Sequence, residues 1–116
     1  MEPALYNFSI HRGTTWSRRM TLTSDGDTVD LSSYEARMTI RRTHSSEPPH
    51  VELTSDPGGG ITLAATSPNI VVTMAAEQTA AMNFARAIYD LEIESPDGTI
   101  NQLIYGVATL RKEATT

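Results

Sequence analysis

Asp25, Asp27 and Asp30 crowd into one short run, and carboxylate oxygens so spaced are what a hard cation such as calcium takes as ligands. An EF-hand loop counted from Asp25 needs Gly at its sixth place and Glu at its twelfth, where this chain has Asp30 and Ala36. Asp25-Gly26 is instead a strong turn signal, because Gly accepts positive φ and Asp tolerates it, so a hairpin reversal is the better reading. The histidines are His11, His44 and His50, and none stands at the i, i+2 or i, i+4 separation that aims two imidazoles at one ion. They read as solvated side chains, the last two in a polar loop. Gly58-Gly59-Gly60 lacks the following Lys and the helix N-terminus of a phosphate-cradling loop, so it reads as a turn. Glu92 and Glu94 share the outward face of one predicted strand and face water. No Gly-x-Ser-x-Gly elbow or Ser/His/acid grouping can be assembled, and the absence of cysteine removes thiolate chemistry and disulfides. The sequence predicts no enzyme, and no catalytic, cofactor-binding or metal-binding residue.

Arginine is the more informative residue type. Eight of the nine basic residues are Arg, and Arg18, Arg19, Arg37, Arg41 and Arg42 fall on two predicted strands. The bland reading is a solvated sheet face screened by nearby acids; the sharper one is an interface, where the planar guanidinium binds carboxylates and stacks on aromatics. A net charge of −5 has the wrong sign for tracking a phosphate backbone, so nucleic acid is excluded as the expected partner. No run approaches the roughly 20 apolar residues of a membrane helix, and the opening residues lack the basic-then-apolar order of a signal peptide. A soluble protein with no membrane partner is expected.

The elements that position these residues are read from hydrophobic period, which is two almost throughout. Tyr6, Phe8 and Ile10 alternate with polar residues as a first strand, and Trp16, Arg18, Met20 and Leu22 as a second over 15–23. A short extended piece at 28–30 and a turn over Leu31–Tyr34 lead to the clearest alternation, 35–42, with Ala36, Met38 and Ile40 inward. The Pro-rich stretch 43–49 must be a loop, because a Pro-Pro pair supplies no backbone donors. Val51 and Leu53, Ile61 and Leu63, and the β-branched run 70–74 give three more strands. The Ala-, Glu-, Gln- and Met-rich stretch 75–82 predicts one short helix.

Ala87, Tyr89, Leu91 and Ile93 alternate up to Ser95-Pro96-Asp97-Gly98, a hairpin signal, and the return strand spans 100–111. That return strand is apolar in both registers, with Leu103, Tyr105 and Val107 on one side and Ile100, Ile104, Ala108 and Leu110 on the other. Two explanations are open: a neighbouring chain against its second face, or a change of sheet at Gly106. The polar tail 112–116 is expected to fray.

Seven to eight short strands, turn signals every 8 to 12 residues and no βαβ rhythm predict an all-β, immunoglobulin-like antiparallel β-sandwich with one short helix. The 116 residues suffice for one core, so 1–116 is read as a single domain with a radius of gyration of roughly 13 Å.

This layout resembles small bacteriophage virion proteins and the N-terminal domain of BppU-type phage baseplate upper proteins. Four segments carry the resemblance: the opening strand into Arg12-Gly13-Thr14-Thr15-Trp16; Asp25-Gly26 followed by Val29–Tyr34 and Ala36–Arg41; Gly60–Leu63 with the β-rich run and Ala-rich turn after it; and Ile88–Ile93 with its hairpin and return strand. The resemblance implies a non-catalytic module of a tailed phage, present in multiple copies in the virion and docked onto other tail, baseplate, fibre or capsid proteins after assembly in the host bacterial cytoplasm. Proteins of that family continue into a fibre-forming stem, whereas few residues follow the last predicted strand here. An adaptor, tail accessory or capsid decoration protein is therefore expected rather than a receptor-binding fibre. The alternative is a host-receptor or carbohydrate-binding sandwich, in which Trp16, Tyr34 or Tyr105 would stack on sugars.

Overall fold

The computed structural model describes residues 3–43 and 49–112. The elements in chain order are β1 (Ala4–Leu5), β2 (Phe8–His11), β3 (Trp16–Met20), β4 (Thr23–Ser24), β5 (Asp27–Thr28), β6 (Glu35–Arg41), β7 (Val51–Thr54), β8 (Ile61–Leu63), β9 (Ile70–Met74), α1 (Ala76–Ala80), β10 (Arg86–Glu94) and β11 (Ile100–Arg111). The chain is an all-β sandwich with one short helix. Its larger sheet has the order β1-β11-β10-β6-β7, with β2 also on β11; the smaller is β3-β9-β8, and β4 and β5 form a separate two-stranded hairpin. Eight of these strands, β2, β3 and β6 to β11, are three residues or longer. His44 and most of the expected 43–49 loop, like the tail beyond Lys112, lie outside the described residues.

The alternation that makes these strands also fills the core. From the large sheet come Phe8, Ile10, Ala36, Met38, Ile40, Leu53, Ala87, Tyr89, Leu91 and Ile93; from the small sheet come Trp16, Ile61, Ile70, Val72 and Met74, all buried in one cluster. Ile10, Ile40, Leu91 and Val72 are completely withdrawn from water, and each such side chain contributes about 1.5–3 kcal/mol to holding the layers together.

Four features depart from the alternation alone. The second strand stops at Met20, because Asn69, fully buried, captures the chain just beyond it: its Oδ1 accepts from the Leu22 N–H at 2.8 Å, and its Nδ2 donates to the Leu22 and Val29 carbonyls at 3.0 and 2.8 Å. Between those two residues the chain makes the expected hairpin, with Asp25 at φ 53° and Gly26 at φ 86°, a left-handed pair that only such residues adopt cheaply. The helix spans 76–80 rather than 75–82. It starts where the Gln78 side chain accepts from the Ala75 N–H at 2.9 Å, and its buried Thr79 hydroxyl donates to the Thr14 and Ala76 carbonyls while accepting from the Gly13 N–H.

The third departure is that the opening strands run parallel to β11, Ala4 registering with Ile104 and Phe8 with Ala108, so the sandwich is not purely antiparallel. The fourth resolves the doubly apolar return strand. The β10/β11 register shifts between Leu91, paired with Ile104, and Glu92, paired with Gln102; Leu103 is the extra residue of a β-bulge. The bulge switches the parity of β11, so Leu103 is buried and Ile104 packs against the same core, while Tyr105 and Val107 turn outward. Gly106 serves another purpose: a Cβ there would stand 2.3 Å from the Tyr6 carbonyl oxygen and 2.7 Å from Asn7 Oδ1, so only glycine lets the opening segment lie along β11. The long β10/β11 hairpin draws the molecule out to 45 × 30 × 25 Å, with a radius of gyration of 14.5 Å, above the value expected for a rounder body.

Candidate functional site

The outward residues of the large sheet follow from the same alternation. β10 presents Arg86, Ile88, Asp90, Glu92 and Glu94; β6 presents Glu35, Arg37, Thr39 and Arg41; and β11 presents Tyr105, Val107, Thr109 and Arg111 beyond the bulge. Register sets them in rows across the strands: Glu94 beside Glu35, Glu92 beside Arg37, Asp90 beside Thr39 and Tyr105, Ile88 beside Arg41 and Val107, and Arg86 beside Thr109. The opening strands extend the rows, with Leu5 against Tyr105, Ser9 against Thr109 and His11 against Arg111.

The resulting face is polarised along its strands. At one end Glu35, Glu92 and Glu94 surround Arg37, whose Nε donates to Glu92 and whose Nη2 donates to Glu94 at 3.2 Å. Those bonds raise the Arg37 pKa still further, so its charge is permanent, and three carboxylates against one guanidinium leave this end acidic. At the other end stand Arg86 and Arg111, the latter donating to Ser9 Oγ at 3.3 Å. Arg86 and Glu94 are eight residues apart on β10, about 26 Å at strand rise. Between the ends lies a mixed centre, in which Leu5, Tyr105, Val107 and Ile88 stand beside Asp90, Thr39, Arg41 and Glu52; Leu5 is 64% and Tyr105 42% exposed. Thr39 and Gln102 both donate to the Asp90 carboxylate, at 2.9 and 3.2 Å, fixing it beside Tyr105.

An aromatic knot under this face holds the opening strands in place. The Phe8 ring lies 4.7 Å from Trp16 and 4.6 Å from Tyr89, which it meets edge-on, and the Arg18 guanidinium stacks 4.8 Å from the Trp16 ring while donating to the Tyr6 hydroxyl. The Tyr89 hydroxyl donates to the Tyr6 carbonyl, and burial raises its pKa well above the ordinary phenol value, the Tyr6 hydroxyl adding to the shift. The Trp16 indole N–H is buried with no acceptor among the described residues, a cost of about 1–3 kcal/mol that the ring contacts offset.

The other groups singled out from the sequence are scattered. Arg18 and Arg19 lie on the small sheet and Arg37 and Arg41 in the large one, so the arginines of the two strands do not make one patch. Asp25 lies in the hairpin turn and Asp27 opens β5, and Asp30 accepts from the Ser32 amide and hydroxyl, which lowers its pKa. Among the described residues no group of three or more His, Asp or Glu is placed to hold a metal ion. His50 stacks on Phe84 at 4.9 Å, and His11 lies at the end of β2 beside Arg111. Gly58 to Gly60 turn the chain into β8 and border an open cleft of about 550 Å³ whose lining includes Tyr34 and Asp56 but no basic side chain. Trp16 belongs to the core at 5% exposure and Tyr34 is half-buried, which leaves Tyr105 as the exposed member of that aromatic trio.

The polarised face was legible only in part. Glu92, Glu94 and Arg37 are recognisable as outward residues, but their opposition to Arg86 and Arg111 depends on the order of strands. The outward turn of Tyr105 depends on the bulge. No protein-family model matches the chain, and no curated protein matches it.

Proposed function

We propose that this chain is a structural virion protein of a tailed bacteriophage, a tail, baseplate or fibre-attachment adaptor that docks onto neighbouring proteins and makes or breaks no bonds. The observation that carries the docking role is the outer face of the large sheet, where large apolar side chains stay exposed between two charged ends. A small sandwich gains nothing in its own stability from leaving Leu5 and Tyr105 in water; another protein surface supplies the reason. The four-segment resemblance to phage baseplate upper proteins supports placing that partner in a virion.

Face packing suits the molecule better than addition of a strand to a sheet edge. The edge strand β3 carries Arg18 and Arg19, β7 and β8 are four and three residues long, and the opening edge is interrupted at Asn7, whose Oδ1 takes the Val107 N–H at 2.9 Å. Short, charged and interrupted edges resist pairing. Quantitative mass spectrometry of purified particles of the encoding phage tests the proposal: the chain should be present in a copy number that is a multiple of the tail or capsid symmetry, and its absence from the particle would refute the reading.

A further inference from the structure

The two charged ends of the polarised face are complementary to each other. Rotating a second copy by 180° about an axis that lies between the two sheets and crosses their strands reverses the order of the rows. The Arg86 and Arg111 end of one copy then stands over the Glu35 and Glu94 end of the other, and the central row, with Tyr105 and with the Asp90 carboxylate held by Thr39 and Gln102, meets its own equivalent. An axis running along the strands would instead set acid over acid and Arg over Arg. We propose that the outer face of the large sheet is an isologous interface between two copies of this chain, with their large sheets stacked face to face and their strands antiparallel. The inference deepens the docking reading and rests on it.

Charge and area both point to this occupant. Arg86 and Glu35 are exposed, and neither takes part in the ion pairs that Arg37 makes with Glu92 and Glu94, so both side chains remain available to a partner. The face is about 26 Å along β10 and about 19 Å across its five strand positions, so two copies stacked over its full extent enclose a total of about 1,000 Å², the lower bound for a specific interface. Stacked sheets of this kind lie about 10 Å apart and within about 30° of alignment, a spacing that the side chains of Tyr105, Val107 and Ile88 fill from both sides. Because the axis relates the copies, each Arg-to-Glu contact occurs twice, and so does the effect of changing it.

Analytical ultracentrifugation of the full chain across concentration and salt, with variants, tests this. The parent should sediment as a reversible dimer that weakens as salt rises, because the end contacts are exposed and screened. Arg86→Glu should weaken the dimer about tenfold, since attraction becomes repulsion at two symmetry-related places, and adding Glu35→Arg to it should restore affinity to within about threefold. Tyr105→Arg, at an exposed position, should give a monomer with the circular dichroism and melting profile of the parent. A parent that stays monomeric at millimolar concentration, or a dimer indifferent to both Arg86→Glu and Tyr105→Arg, would overturn the inference. Sedimentation reads the dimer alone and particle mass spectrometry reads the virion assignment alone, so either can fail without the other.

Discussion

At the scale of single residues, two buried polar groups carry more than their size suggests. Asn69 bonds both backbone groups of Leu22 and the Val29 carbonyl, so one amide ties both flanks of the β4/β5 hairpin to β9. Asn69→Ala should lower unfolding free energy by about 2–3 kcal/mol in urea titration, because three hydrogen bonds vanish and the Leu22 N–H and Val29 carbonyl lose their partner, while the Leu22 carbonyl keeps the Val29 N–H at 3.0 Å. Tyr89 acts at the opposite side of the core. Its folded pKa is raised by burial, so the unfolded state ionises first: the stabilisation is complete below about pH 10 and is lost progressively as pH rises above it. Tyr89→Phe should cost about 1 kcal/mol at neutral pH through the lost bond to Tyr6, and should flatten the alkaline fall when melting temperature is followed from pH 8 to 11. An unchanged alkaline slope in Tyr89→Phe would show that another group causes it.

At the scale of elements, what the sequence made legible divides along the range of the interaction. Strands β6, β9 and β10 and the turn at Ser95–Gly98 are written locally, in period-two alternation and in turn chemistry, and they form where that chemistry puts them. Partners are not written locally. Nothing within 4–11 announces that these residues lie parallel to β11, and nothing within 100–111 announces the bulge at Leu103, since both depend on which backbone comes alongside. The helix opens at Ala76, where the Gln78 side chain takes the Ala75 N–H, and Thr79 ties it to the turn at Gly13 and Thr14, contacts that propensity does not register. The candidate site was legible to the same extent: its charged residues were identifiable as outward, and their arrangement into two opposed ends was not. Gly106→Ala tests the element that closes the sandwich. A Cβ there meets main-chain atoms that cannot swing aside, so hydrogen exchange at 4–11 should accelerate about tenfold or more while β6 and β9 remain protected. Unchanged protection over 4–11 would mean that Gly106 is not what admits those strands.

At the scale of the whole molecule, the two layers are unequal and so are their duties. The small sheet closes the core. The large sheet exceeds what the core requires, its long hairpin presenting an outer face with acid at one end, Arg at the other and exposed Leu5 and Tyr105 between them. We propose that in the virion this face is covered by protein. Electron cryomicroscopy of the intact particle tests this most directly. The account predicts symmetric copies of a 45 Å sandwich with the Tyr105 face in contact with protein density. A particle without that density, or one in which the Tyr105 face looks onto solvent in every copy, would contradict it.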